Sequence, residues 1–198
     1  MDLSLILPVV LLVALLIYAV SIYNRLVALK NRFQNAFAQI EVQLKRRHDL
    51  IPNLVETARA YMAHERETLS AVTEARNAAE VGLKHAAAAP GNAAAMAELA
   101  GAEGALGAAL GRLNVVMEAY PDLKASENMR QLSETLTSTE NRVAFARQAF
   151  NDAVMQYNTY KQSFPPVILA ASFGHKQDAA LLEFEDSAEI QAAPRVSF

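Results

Sequence analysis

From Leu3 to Ile22 the chain reads LSLILPVVLLVALLIYAVSI, twenty residues without a charge. At about 1.5 Å rise per residue, a helix of that length spans the roughly 30 Å hydrocarbon core of a bilayer. Pro8 lies in the first turns, where its missing N–H costs least, and Tyr18 and Tyr23 fall where the helix meets the headgroups. Polarity resumes at Asn24 and Arg25. No Lys or Arg precedes the run and Ala19-Val20-Ser21 is a poor cleavage motif, so the segment reads as a retained anchor rather than a signal peptide. Residues 1–23 therefore form the expected transmembrane anchor, with Leu3 and Leu12 inside it and Ile22 and Tyr23 at its exit. Arg25, Lys30 and Arg32 follow closely, which predicts an amino terminus outside and a domain in the cytoplasm.

The rest of the 198 residues suffices for one soluble domain. Hydrophobic residues make up 53% and the mean hydropathy is +0.10, much of it supplied by the anchor. A formal net charge of −3 provides no basic field for phosphates, so nucleic acid is not an expected partner. There is no cysteine, which excludes disulfides, thiolate nucleophiles, Cys-based zinc sites and lipid attachment through sulfur.

Beyond the anchor the apolar spacing is 3-4-3-4 with no strand-like alternation, which predicts four helices over residues 24–164. The first carries Ile22, Leu26, Leu29, Phe33, Ala36 and Ile40, continues the anchor, and is expected to end near residue 48, where Lys45, Arg46 and Arg47 suit the negative end of its dipole. Asp49 is the expected cap of the second, with Pro52 in its first turn. That helix is predicted to run to about Lys84 on a stripe through Val55, Ala58, Met62, Glu65, Leu69, Val72, Arg76, Ala79 and Leu83, whose two charges need partners. Pro90-Gly91-Asn92 breaks the chain; Met96, Leu99, Glu103, Leu106, Leu110, Leu113, Met117 and Tyr120 then line the third helix. After Pro121-Asp122, the fourth helix has the cleanest seam, from Met129 through Phe150 and Tyr157 to Phe164. Short connections make neighbours antiparallel, and folding the sequence about Pro90 sets Arg76 level with Glu103, predicting an ion pair between them.

Between Ala86 and Gly111 the only charges are Glu98 and Glu103, and Gly101, Gly104, Gly107 and Gly111 fall within about 120° of one helix face. Such a face packs inside a bundle or offers an interface to another subunit or to lipid. A turn near residue 50 would return the second helix to membrane level near residue 76, so either the tip over residues 77–102 touches lipid or the first helix bends. His48, His64, His85 and His175 lie in separate segments without metal-ligand spacing and read as surface or capping residues; no metal or cofactor is expected. No nucleophile elbow, phosphate loop or dinucleotide fingerprint is present. Residues 165–198 read as an irregular tail, with Phe164, Phe173, Phe184 and Phe198 either packed on the bundle or offered to a neighbour.

The runs YNRLVALKNRFQNAFAQIEVQLKRRHDLIPNLVETARAY and ENMRQLSETLTSTENRVAFARQAFNDAVMQYNTY, followed by FP and a downstream FG, resemble the LemA family from Tyr23 to nearly the last residue. The resemblance implies an all-α protein of the bacterial inner membrane, with a single amino-terminal span continuing into an antiparallel four-helix bundle. It implies no catalytic residues. Relatives in magnetosome-forming bacteria are associated with internal membrane formation. Together these readings lead us to expect a non-enzymatic scaffold whose partners are the lipid bilayer and further copies of itself. The alternative is an adaptor or signalling module bound to an unknown membrane protein, and a hydrolase with an unrecognised site is the third reading.

Overall fold

A computed structural model describes residues 3–62 and 64–184, with side chains described from Ile6 onward. Leu3 begins the first helix, and Phe198 with the rest of the tail beyond Phe184 lies outside the described residues. The elements are α1 (Leu3–Arg59), α2 (Arg66–Ala88), α3 (Ala93–Met117), α4 (Pro121–Ala125), α5 (Glu127–Gln162) and α6 (Pro166–Ala170), with no strand among the described residues.

Anchor and first bundle helix form one continuous helix of 57 residues, about 85 Å long. Its apolar run is bare: Leu7 and Val9 through Val13, like Leu15 through Tyr18, are exposed. The most apolar 18-residue window has a mean hydropathy of 2.7 and is only 6% buried, the opposite of a soluble core helix. Coverage begins at Ala19, which is half-buried, and becomes regular with Ile22, Leu26, Leu29, Phe33, Phe37, Ile40 and Leu44.

The helix does not stop near residue 48. It passes through Pro52 and ends at Arg59, and the turn to α2 occupies residues 60–65. Pro52 lacks the N–H that would bond the His48 carbonyl four residues earlier. Arg76 on α2 supplies the missing donor, its Nε lying 3.1 Å from that oxygen. The seam residues expected of one helix are thus divided, with Val55 and Ala58 on α1 and Leu69, Val72, Ala79 and Leu83 on α2, all still buried.

α1 packs on α5 and α2, and α2 packs on α3. Gly82 sets the α2–α3 approach: a Cβ there would lie 3.3 Å from the Leu99 Cα. Asn92 caps α3 by accepting from the Ala95 N–H at 3.1 Å. α5 runs antiparallel to α1, with Phe150 edge-on to Phe33 and Phe37. α3 and α5 do not pack closely, so the four long helices leave one side open.

The core falls into two clusters. The membrane-proximal one holds Leu26, Phe33, Phe37, Leu44, Leu83, Leu99, Phe150 and Tyr157; the distal one holds Ile51, Val72, Leu106, Leu113 and Leu136. Between them sits a polar layer of Arg47, His48, Glu103 and Thr139, all buried.

The segment after α5 is more ordered than an irregular tail. Pro166–Ala170 forms α6, and residues 175–184 then run back along α5, held by two asparagine amides. Asn158 exchanges bonds with the Ala179 backbone at 2.9 and 3.0 Å, and Asn151 with the Leu182 backbone at 2.9 and 3.1 Å. Seven helical residues rise about 10 Å, which three extended residues also span. The Ala180 N–H reaches the Gly91 carbonyl at 2.8 Å, so the tail supports the α2–α3 tip.

Candidate functional site

The expected Arg76–Glu103 pair does not form. Glu103 is held from α1, by Arg47 and by His48 Nε2 at 2.8 Å, while Arg76 reaches the His48 carbonyl and pairs with Glu80 at 2.9 Å. The two residues lie near one level, as folding about Pro90 requires, but they face different neighbours. An α1 ending at residue 48 would leave Glu103 without Arg47 and His48; the longer α1 carries both past it. Glu65, the other seam charge, accepts from the Tyr120 hydroxyl at 3.2 Å.

Arg47 and His48 therefore do not serve a helix end. His48 and His175 are buried, contrary to the expectation of surface histidines, whereas His64 is exposed and His85 is an exposed partner of Glu98 at 2.9 Å. Lys45 pairs along the helix surface with Glu41 at 2.6 Å. Arg47 Nε and His48 Nδ1 have no hydrogen-bond partner among the described residues, which leaves the polar layer short of partners on both side chains.

Arg47 also lines a groove of about 560 Å³ between α3 and α5. Gly104, Gly107 and Ala108 form one wall, Val143, Ala144 and Glu140 the other, and Arg147 over the Phe184 ring closes one end at 4.5 Å. The glycine face predicted from sequence borders this opening. A Cβ built on Gly101, Gly104, Gly107 or Gly111 would meet nothing within 4 Å, so close packing among the described residues does not explain these glycines.

The α2–α3 tip lies level with Phe33 on α1. A Cβ on Gly91 would lie 3.2 Å from Phe33 Cε2, and Phe33 stands ten residues, about 15 Å, above Tyr23. α1 turns back some ten residues later than the sequence suggests, which sets the tip further along α1 than a turn near residue 50 would. The part of the domain beside the exit of the anchor is instead the segment around α6, where Phe173, just after α6, packs edge-on against Tyr23 at 5.4 Å. Phe184 is half-buried under Arg147, and Phe164, expected on the seam, is exposed.

A second polar group ties the tail down. The Tyr157 hydroxyl lies 2.9 Å from His175 Nδ1, and Lys161 pairs with Asp178. Burial, then the charges of Lys30 and Lys161, lower the His175 proton affinity below the ordinary histidine value. The Lys161 hydrogen bond, chiefly, lowers that of Asp178. The two asparagines that clasp the tail escaped the sequence reading, although their heptad spacing beside the Tyr157 seam is visible in NDAVMQYN.

The sequence pattern of the LemA family matches residues 36–198. Magnetosome protein MamQ of Magnetospirillum gryphiswaldense is 28% identical over 191 residues, which cover 89% of this chain and 70% of that protein. Magnetosome proteins MamQ 1 and MamQ 2 of Paramagnetospirillum magneticum are each 28% identical over 170 residues, covering 78% of this chain and 62% of theirs. The chain thus spans roughly two thirds of the length of these curated relatives.

Proposed function

The chain belongs to the LemA family and carries a membrane anchor, and from that premise we propose that it is a non-enzymatic scaffold that self-associates and organises the membrane holding it. The observation that carries the proposal is the bare glycine face beside the α3–α5 groove. Each glycine inside a helix costs about 0.5–1 kcal/mol relative to alanine. Four of them on one face, Gly104 half-buried and the others exposed, lower the stability of α3 with no contact among the described residues in return, which is understandable when another backbone approaches there. The unmatched Nε of Arg47, which lines the groove, offers a donor to that partner. A second copy is the occupant this reading assigns. The names of the relatives, magnetosome proteins, support a role at a membrane.

The test is particle mass of the full chain in detergent at micromolar concentration, alongside the Gly104→Leu and Gly107→Leu variants. The wild type is expected to form a multimer that both variants reduce, with helical content retained. A monomeric wild type refutes self-association, and a single copy holding a co-purified membrane protein favours the adaptor reading. In the proposed orientation the bundle faces the bacterial cytoplasm, since Arg25, Lys30 and Arg32 follow the span. Because the chain has no cysteine, a single cysteine on α5 reports this side by its access to a membrane-impermeant thiol reagent.

A further inference from the structure

Residues 163–174 read SFPPVILAASFG, twelve positions without a charge that connect the end of α5 through α6 to the returning tail. In a globular domain so apolar a turn is folded inward. Here only part of it is. Pro166 and Ala170 are buried against the membrane-proximal core that includes Ile22 and Leu26, while Phe164, Val167 and Ile168 stand 80%, 50% and 65% exposed. Their exposed surface is on the order of 300 Å², comparable to the largest apolar patch of an ordinary soluble monomer.

Position decides what covers this patch. Ala19 is the first residue of α1 that the rest of the chain partly covers, and Ile22 the first fully buried. Tyr23 packs on Phe173, and Tyr160 lies within electrostatic reach of both Tyr18 and Arg25. The α5–α6 turn therefore sits beside the last turns of the apolar run, at the height where that run leaves the hydrocarbon. Its bare side chains continue the bare apolar surface of Leu7 to Val20, with no charged residue of the turn between them. Aromatic and aliphatic side chains at this height bury into the boundary between headgroups and acyl chains, by about 5–10 Å for an interfacial element.

We propose that the α5–α6 turn is a second membrane contact, a foot that inserts Phe164, Val167 and Ile168 into the headgroup–acyl boundary of the leaflet from which α1 emerges. This rests on α1 spanning the bilayer. A single helical anchor leaves a rigid domain free to tilt and rotate about it; an apolar foot to one side of the anchor fixes which face of the bundle turns towards the membrane. The open α3–α5 side then takes a defined orientation over the lipid surface, as a scaffold of many copies requires.

The experiment uses the full chain in vesicles of phosphatidylethanolamine and phosphatidylglycerol, with one environment-sensitive fluorophore per molecule. The absence of natural cysteine makes each introduced thiol unique. Labels go on Ile168→Cys, on Leu12→Cys in the span and on Ala88→Cys at the α2–α3 tip, and the quenchers are lipids spin-labelled at the headgroup or mid-chain and aqueous iodide. The foot predicts a blue-shifted emission at position 168, quenched more by headgroup-level than by mid-chain spin labels, with position 12 showing the reverse order and position 88 only iodide quenching. In a chain labelled through Phe164→Cys, adding Val167→Glu and Ile168→Glu is expected to abolish lipid quenching at 164 without changing helical content. Lipid quenching at 12 with iodide quenching at 168 overturns the foot and leaves the anchor standing. Position 168 shielded from both quenchers also overturns it and assigns the patch to a second copy, and a position 12 open to iodide overturns anchor and foot together.

Discussion

Arg76 bridges two helices through a backbone carbonyl, and its role can be measured against that specific partner. Pro52 removes the N–H that the His48 carbonyl would receive, and Arg76 Nε replaces it from the neighbouring helix at 3.1 Å. His48 is 1% exposed, so in the folded chain the oxygen depends on Arg76 rather than on bulk water for a donor. A hydrogen bond from a charged donor contributes about 1.5–3 kcal/mol; because Arg76 is only partly buried, roughly 1–2 kcal/mol is the appropriate share. Its pair with Glu80, four residues along the same helix, adds only about 0.3–0.5 kcal/mol. Arg76→Leu is therefore expected to cost about 2 kcal/mol, a fall of roughly 4–8 °C in Tm for a chain of this size.

The same substitution in a Pro52→Ala background should cost far less, about 0.5 kcal/mol, because the restored N–H bonds the His48 carbonyl within α1. Thermal unfolding of the four full-length proteins in one detergent, followed by circular dichroism, gives a coupling of about 1–1.5 kcal/mol between positions 52 and 76. An equal loss in both backgrounds would refute the repair. Coupling of Arg76→Leu to Glu103→Leu is expected to be below about 0.5 kcal/mol; a value well above that would restore the ion pair that the geometry denies.

Three further outcomes follow from the packing. Glu103→Leu strands Arg47 in the polar layer and should cost about 3–5 kcal/mol, whereas Arg47→Met with Glu103→Leu should recover most of it; a urea double-mutant cycle without that recovery would contradict the layer. Gly91 has φ +82°, and a Cβ there would lie 3.0 Å from the Ala179 Cβ, so Gly91→Ala should cost about 1–2 kcal/mol by denaturant titration and make the Ala180 amide exchange faster. On acidification the unfolded chain takes up the His175 proton first, from pH about 6.5 downward, so Tm should fall as pH drops through that window. Asp178 adds a loss of the same sign only near and below the ordinary aspartate value, and His175→Gln should remove the upper part of the dependence alone.

Periodicity made most of the helices legible. The seams Met96 to Met117 and Met129 to Tyr157 bury as their spacing demands, and the break at Pro90-Gly91-Asn92 is where the chain turns. The α1–α2 turn was not legible, because the apolar spacing from Val55 to Leu83 runs in phase across it and the strongest breaker nearby, Pro52, is accommodated inside the helix. A proline is a boundary signal only when its orphaned carbonyl has no other donor, and that donor is a side chain 28 residues away. The polar layer was half legible. Glu103 announced itself as a charge on an apolar seam, but its partners stood where a helix end and a dipole role had been expected.

One misplaced turn also moves the membrane. With α1 reversing at residue 50, the tip over residues 77–102 would come level with the exit of the anchor; with α1 running on to Arg59 it lies level with Phe33, about 15 Å along the helix from Tyr23, and rests on the returning tail. The level it vacates is filled by the α5–α6 turn, which the heptad spacing had run straight through to Phe164. Pro165 and Pro166 end that run, and beyond them an uncharged stretch that looked like an irregular tail folds back against Ile22 and Tyr23. If the proposed foot is right, lipid contact beyond the anchor falls to the end of the domain with exposed Phe, Val and Ile. The Ala- and Gly-rich tip has little apolar surface to give a bilayer, in keeping with that proposal.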